Sequence, residues 1–186
     1  MDGVDPRVVR THNDVLQTTL DVLIDEGWEA VTHAHVARAA GYSKATLYAH
    51  WPDRLSLVRD AFARSGELPH AAAVGTLRED LRTELNSFRT AMVEHRLDRA
   101  LAVLAERAPA VPELAEVRDR YVAAGERPLR DRLGPLLTPL QVDVAVHMLC
   151  GGMLHAVLMH GCAPDDDFVD TVVDAILTAF DLDPDA

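Results

Sequence analysis

Apolar residues recur at helical spacing along almost the whole of this 186-residue chain, and no run alternates as a half-buried strand would for more than a few residues. That periodicity restricts the chain to an all-α fold. Val8, Val15, Val22 and Leu23, with Thr19 between them, form a stripe that stops at Gly27. Residues 33–40 fit a short helix with Thr32 as N-cap; Gly41 ends it, and Ser43 opens a third helix running to about His50. Asp53 caps a fourth, from Arg54 to about Ser65. Beyond a break near Gly66 to Gly75 the helices lengthen. Leu77, Leu81, Leu85, Phe88 and Met92 mark one, and Leu97, Leu101 and Leu104 a shorter one closed by Pro109 and Pro112. Leu114, Val117, Tyr121 and Val122 mark the next, with an interruption expected at Gly125 to Pro128 before Leu129, Leu133 and Leu136. Residues 139–160 are apolar nearly all round, so more than one face should be buried. A last helix opens at Pro164 to Asp167 and carries Phe168, Val169, Val172, Val173, Ile176, Leu177 and Phe180. The expectation is about nine helices: an N-terminal three-helix helix-turn-helix domain over 1–66 and a C-terminal helical domain over 67–186.

Charge first argues against DNA. Thirty acidic residues face eighteen basic ones, a net −12 that nucleic acid and anionic membranes both repel. The average hides a local reversal. Residues 33–64 hold five basic residues (Arg38, Lys44, Arg54, Arg59, Arg64) and two acids, a net +3, against −15 for the rest. Lys44 is the only lysine in the chain. The acidic load also leads to the expectation that DNA binding is steeply weakened by salt.

Two cysteines, Cys150 and Cys162, make no disulfide framework and match no zinc spacing. The first residues, MDGVDPRVVR, lack the basic start and apolar run of a secretion signal. The apolar stretch from Val142 to Met159 is interrupted by Asp143, His147, His155 and the Gly151-Gly152 pair, which reads as a buried helix too short and too polar to span a bilayer. A cytoplasmic protein with no membrane partner is expected.

Residues 32–57, THAHVARAAGYSKATLYAHWPDRLSL, are what a helix-turn-helix requires. Gly41 permits positive φ at the corner, the small Ala34, Ala37 and Ala40 allow close approach, and Val36 and Leu47 supply apolar contact across it. Ser43, Lys44, Ala45 and Thr46 stand at the start of the second helix, the end that enters a major groove.

This segment resembles the DNA-binding domain of the TetR family of bacterial transcriptional regulators. The resemblance rests on Thr32, Val36-Ala37, Ala40-Gly41-Tyr42-Ser43, Leu47-Tyr48, His50-Trp51 and Leu57, about a quarter of the chain. It implies that Thr32 touches a phosphate, that Tyr42, Lys44 and Thr46 project into the groove beside Ser43, and that Tyr48, His50 and Arg54 hold the backbone of double-stranded operator DNA. A lysine at 44 can read a guanine edge, and the methyl of Thr46 a thymine. Departures stand at His33, where the family usually has an aliphatic residue, at Ala45, and at Arg54-Leu55, which keeps the expected cation but loses the acid beside it.

The resemblance further implies a homodimer and a small-molecule effector bound by the second domain. Residues 67–186 carry 21 acids and 11 arginines, so this half should avoid DNA. The two last helices are the expected dimer pair, through Gly151, Gly152, Val169, Val173, Ile176 and Phe180. Phe88, Met92, Leu104, Tyr121, Met148 and His155 are candidate lining of an effector cavity, although each also reads as plain core. Asp143, His147 and Cys150 share a helix face at possible metal-ligand spacing, but no fourth ligand is evident and Asp143–His147 reads equally as an ion pair; no metal or cofactor is expected. The expected function is a dimeric repressor released by a small hydrophobic ligand. Alternatives are a DNA binder with no effector and a helical metal-dependent enzyme. The enzyme is disfavoured because no H-E-x-x-H, G-x-S-x-G, G-x-G-x-x-G or P-loop occurs.

Overall fold

The computed structural model describes residues 6–65, 70 and 75–185. Among them are nine α-helices, one 3-10 turn and no strand. The helices are α1 (Pro6–Glu26), α2 (His33–Ala40), α3 (Lys44–His50), α4 (Arg54–Ser65), α5 (Leu77–Glu94), α6 (Leu97–Arg107), α7 (Pro112–Leu133), α8 (Pro139–His160) and α9 (Asp166–Ala179), with the 3-10 turn at Trp28–Ala30. The expected boundary at 66/67 lies outside the described residues.

Helix ends follow local chemistry. Thr32, Ser43, Thr76, Thr138 and Asp165 each accept a backbone N–H of the first turn. At Thr76–Glu79 and Thr138–Gln141 the third residue returns the bond, making capping boxes. Gly41 and Gly161 end α2 and α8 at φ +77° and +66°, the left-handed region.

The residues group into two compact units, one of 1–67 with 99–121 and one of 68–98 with 122–186. The first is built on a core of Val15, Leu16, Leu23, Val31, Val36, Leu47, Trp51, Leu57, Val58 and Phe62, to which α6 and the start of α7 add Leu104, Leu114 and Val117. The second packs Leu77, Leu81 and Leu85 of α5 with Leu133, Val142, Val146, Leu149, Met153, Val169, Val173 and Ile176. Three ion pairs join α5 to α9 in antiparallel order: Arg78–Asp174, Arg82–Asp170 (2.7 Å) and Arg89–Asp166 (2.7 Å).

Two expectations need correcting. α7 is not interrupted at Gly125 to Pro128 but runs through both. An interior proline costs a hydrogen bond and about 3 kcal/mol, which the buried side chains on either side, Leu114, Val117, Leu129 and Leu133, offset by packing. α8 covers the expected residues 139–160 and passes straight through Gly151-Gly152; what needs correcting is the reason it is not read as a span. Its 22 residues are long and apolar enough, by length and composition alone, to cross a membrane, so shortness and polarity are not what argues against a span. What does is one face, Val142, Ala145, Val146, Leu149, Met153 and Ala156, packed inside the unit.

Candidate nucleic-acid interface

The corner between α2 and α3 is set by backbone bonds. Gly41 closes α2, and the Tyr42 N–H donates to the Ala37 carbonyl at 2.9 Å. A Cβ at Gly41 would meet nothing within 4 Å, so conformation rather than space demands glycine there. The Ser43 hydroxyl oxygen accepts from the Thr46 N–H (3.0 Å) and lies 2.7 Å from the Thr46 hydroxyl. α3 therefore starts with Ser43, Lys44 and Ala45 exposed and Leu47 fully buried beneath them. One face of a seven-residue helix anchors it and the opposite face is offered to solvent.

On that outer face Tyr48 is 49% exposed, with the Lys44 ammonium over its ring at 5.5 Å from the centroid. Beneath it lies His33, the first residue of α2 and only 6% exposed. The two rings stack at 4.1 Å and 2°. The His33 Nε2–H donates to the Trp51 carbonyl at 2.7 Å, which satisfies a polar ring at a position otherwise suited to an aliphatic side chain.

Other expected contacts are engaged within the unit. The Tyr42 hydroxyl donates to Asp14 on α1 at 2.8 Å. The Arg54 guanidinium lies 4.5 Å over the Trp28 ring and donates to the Trp28 carbonyl (3.2 Å) and to Glu29 (3.3 Å). Thr32 is exposed and accepts the His35 N–H at 3.2 Å. His35 passes a hydrogen-bond chain along the surface, accepting from Arg38 at Nδ1 (2.6 Å) and donating from Nε2 to Glu26 (2.9 Å). Arg59 pairs with Asp60, which also accepts the Trp51 indole N–H, and Arg64 donates to the Asn13 carbonyl.

Exposed His50, at the end of α3, meets His12 of α1 edge-on at 5.8 Å, and His12 lies 4.5 Å from the Trp51 ring. Burial first, and then the neighbouring His50, hold His12 below the ordinary imidazole pKa. The Ser56 backbone N–H, donating at 2.7 Å, holds the Asp53 carboxylate below its usual range at the start of α4. Sequence reasoning missed His12 and the role of His33. A polar ring where an aliphatic one is expected was the available signal for His33; its partner, eighteen residues away, was not visible.

The model for bacterial regulatory proteins of the tetR family matches residues 15–61, which contain this corner. The model for the tetracyclin repressor-like C-terminal domain matches residues 71–176, more than half of the chain. The chain belongs to the TetR family. Among curated relatives it is similar to the uncharacterized HTH-type transcriptional regulator YdeS of Bacillus subtilis, 25% identical over 184 residues that cover 94% of this chain and 90% of that protein. Two solved structures share the fold. A TetR-family regulator from Mesorhizobium loti superposes with a TM-score of 0.74 at 17% identity, covering 94% of this chain and 98% of the other. The Bacillus subtilis regulator FadR, solved with stearoyl-CoA, gives 0.69 at 15% identity over 90% and 98%. This chain is a TetR-family DNA-binding transcriptional regulator, and the α2–α3 corner is its helix-turn-helix.

The remaining candidate residues of this TetR-family chain fall in both units. Leu104 is buried in the first unit, and Tyr121 meets Phe62 there edge-on at 6.1 Å. In the second unit Phe88 and Met92 lie on α5, Met92 buried, while Met148 and His155 are exposed on α8. None of the six lines the cleft of about 320 Å³ between α5 and α7, walled by His70, Asp80, Glu84, Arg127 and Arg132 with Leu81, Pro128 and Leu129 as its apolar part. Of the expected dimer residues, Val169, Val173 and Ile176 belong to the core of their own chain and have no surface left for a second copy. Gly151 is exposed, Phe180 half-buried, and Gly152 packs toward Val172 and Phe168. The apolar residues that α8 does expose are Leu140, Val144, Met148, Leu158 and Met159, with Phe168 beside them on α9. Asp143 is bound by Arg130 at 2.6 Å. Burial pushes the Cys150 thiol up to about 12, so it stays protonated. Among the described residues no group of three or more His, Cys, Asp or Glu is placed to hold a metal.

Proposed function

We propose that this regulator is a cytoplasmic homodimeric repressor whose grip on operator DNA is released by a small hydrophobic ligand. The observation that carries the dimer is the outer face of α8. Leu140, Val144 and Met148 recur every fourth residue and are 73%, 41% and 50% exposed, an apolar stripe that water does not favour. A second copy covering it would join two helix pairs into a four-helix bundle and set two recognition helices to successive major grooves, about 34–36 Å apart. The family assignment supports release by a ligand, as does the presence of stearoyl-CoA in the FadR structure of the same fold. In this chain the cleft between α5 and α7 offers a ligand an apolar floor and a charged wall.

Operator contacts are assigned to Thr32, Ser43, Lys44, Thr46, Tyr48 and His50, whereas Tyr42 and Arg54 hold the domain together through Asp14 and Trp28. None of the six expected lining residues lies on that cleft, which favours a second reading, a regulator that answers to no ligand. Titrating fluorescent DNA from the region beside the protein's own gene, with light scattering of the free protein, tests all of this. The expected result is one dimer per operator, lost or strongly weakened in Met148→Glu. Lys44→Ala and Tyr48→Ala should each weaken binding without altering the dimer. A monomeric wild type, or full affinity in both alanine variants, overturns the corresponding assignment. A hydrophobic compound library that neither stabilises the protein nor frees the DNA supports the ligand-free reading.

A further inference from the structure

We propose that His33 positions the reading face of the recognition helix, acting through Tyr48, and so helps to set operator affinity without touching DNA. Its ring sits in a near-closed slot between the start of α2 and the end of α3 and makes two contacts of different kinds. One is the 2.7 Å bond from Nε2–H to the Trp51 carbonyl, at the residue that terminates α3. The other is the parallel stack under Tyr48, with ring centres 4.1 Å apart and planes within 2°. The bond fixes the His33 ring plane, and the plane in turn gives Tyr48 a flat floor. Lys44, one turn earlier, rests its ammonium over the same tyrosine. Two of the side chains assigned to the operator thus stand in one column on a buried base.

An exposed aromatic on a seven-residue helix otherwise samples several rotamers, and each must be given up on binding. A His33 platform removes that freedom beforehand. The aliphatic residue that the family resemblance implies here would fill the slot, but it has neither the donor nor the flat face. The effect is one of orientation, because His33 is 6% exposed and reaches the interface only through Tyr48.

The inference rests on Tyr48 and Lys44 being operator contacts, and the test separates the two ideas. Operator affinity of the full-length protein is measured at several salt concentrations for His33→Leu, His33→Phe, Tyr48→Ala and the double variant His33→Leu/Tyr48→Ala. His33→Leu should bind about 3- to 10-fold more weakly, with an unchanged salt slope, since no phosphate contact is removed. His33→Phe, which keeps the flat ring but not the donor to the Trp51 carbonyl, should recover part of the loss. In the Tyr48→Ala background, His33→Leu should cost nothing further. Wild-type affinity in His33→Leu, a His33→Phe as weak as His33→Leu, or an undiminished loss in the Tyr48→Ala background each overturns the positioning role. Should His33→Leu not fold, His33→Met, which fills the slot without a flat face, takes its place in every comparison with the same loss expected. Wild-type affinity in Tyr48→Ala and in Lys44→Ala would instead remove the contact assignment on which the role depends.

Discussion

His12 shows how a single side chain can make this DNA-binding unit sensitive to acid. It is packed against Trp51 and faces His50, and both burial and that neighbour disfavour its charged form. The groups around it are His50, Asp60, Arg64 and Trp51; among the charged ones only Asp60 favours a proton on His12, and it is outweighed. With the folded pKa held below 6.5, the unfolded chain takes up this proton first as pH falls. Stability is therefore intact above about pH 6.5 and is lost progressively as the pH drops from there toward the lowered folded value. Thermal melts from pH 7.5 to 5.5 should show Tm falling for the wild type. His12→Gln should fall less, by about 1–3 °C over that interval; identical slopes for the two proteins would exclude His12 as a cause. At this scale legibility was uneven. Thr32, Ser43, Asp53 and Gly41 announced their roles because capping is decided within four residues of chain. His12, His33 and Tyr42 did not, because their partners lie fifteen to thirty-nine residues away and only the packed fold selects them.

At the scale of the helix, apolar spacing showed where the elements run but not which face turns inward. α8 carries apolar residues on both sides, so the sequence alone did not separate Leu149 and Met153, which are buried, from Leu140 and Met148, which are not. The same ambiguity placed the expected dimer contacts of α9 on Val169, Val173 and Ile176, residues that face α5 and α8 within their own chain. α7 was misread for a related reason, since local propensity at Pro128 yields to the packing of Leu129 and Leu133. The α5–α9 ladder, in contrast, is a spacing effect. Arg78, Arg82 and Arg89 run against Asp174, Asp170 and Asp166, so each pair registers the two helices. Both members of Arg82–Asp170 are nearly half exposed, which limits the pair to about 0–1 kcal/mol. Arg82→Glu replaces that attraction with repulsion and should lower Tm by about 2–4 °C. Combining it with Asp170→Arg should restore most of the loss. An unchanged Tm in the single variant would show that the ladder follows packing rather than guiding it.

At the scale of the molecule, the −12 net charge leads to the expectation of a steep salt dependence, whereas the pairing of the basic residues in the +3 segment, 33–64, favours a shallower one. Counterion release depends on how many phosphates are neutralised, not on the total charge of the protein. Of the five basic residues in the positive segment, Arg54 is engaged with Trp28 and Glu29, Arg59 with Asp60, Arg64 with the Asn13 carbonyl and Arg38 with His35. Lys44 alone among them stands over an exposed ring at the recognition helix. The proposed dimer would then bring roughly two to four phosphate-neutralising cations, fewer than the six to ten of a strongly salt-dependent binder. Between 50 and 200 mM salt, operator affinity should fall only about 10- to 100-fold, rather than by the steep loss that the acidic composition suggests. Lys44→Ala should reduce the slope by about one for each protomer. A slope of the steep kind would mean that Arg54, Arg59 and Arg64 leave their partners on binding, and Arg54→Ala would then flatten it; a shallow slope unaffected by Arg54→Ala would leave that arginine to the Trp28 turn.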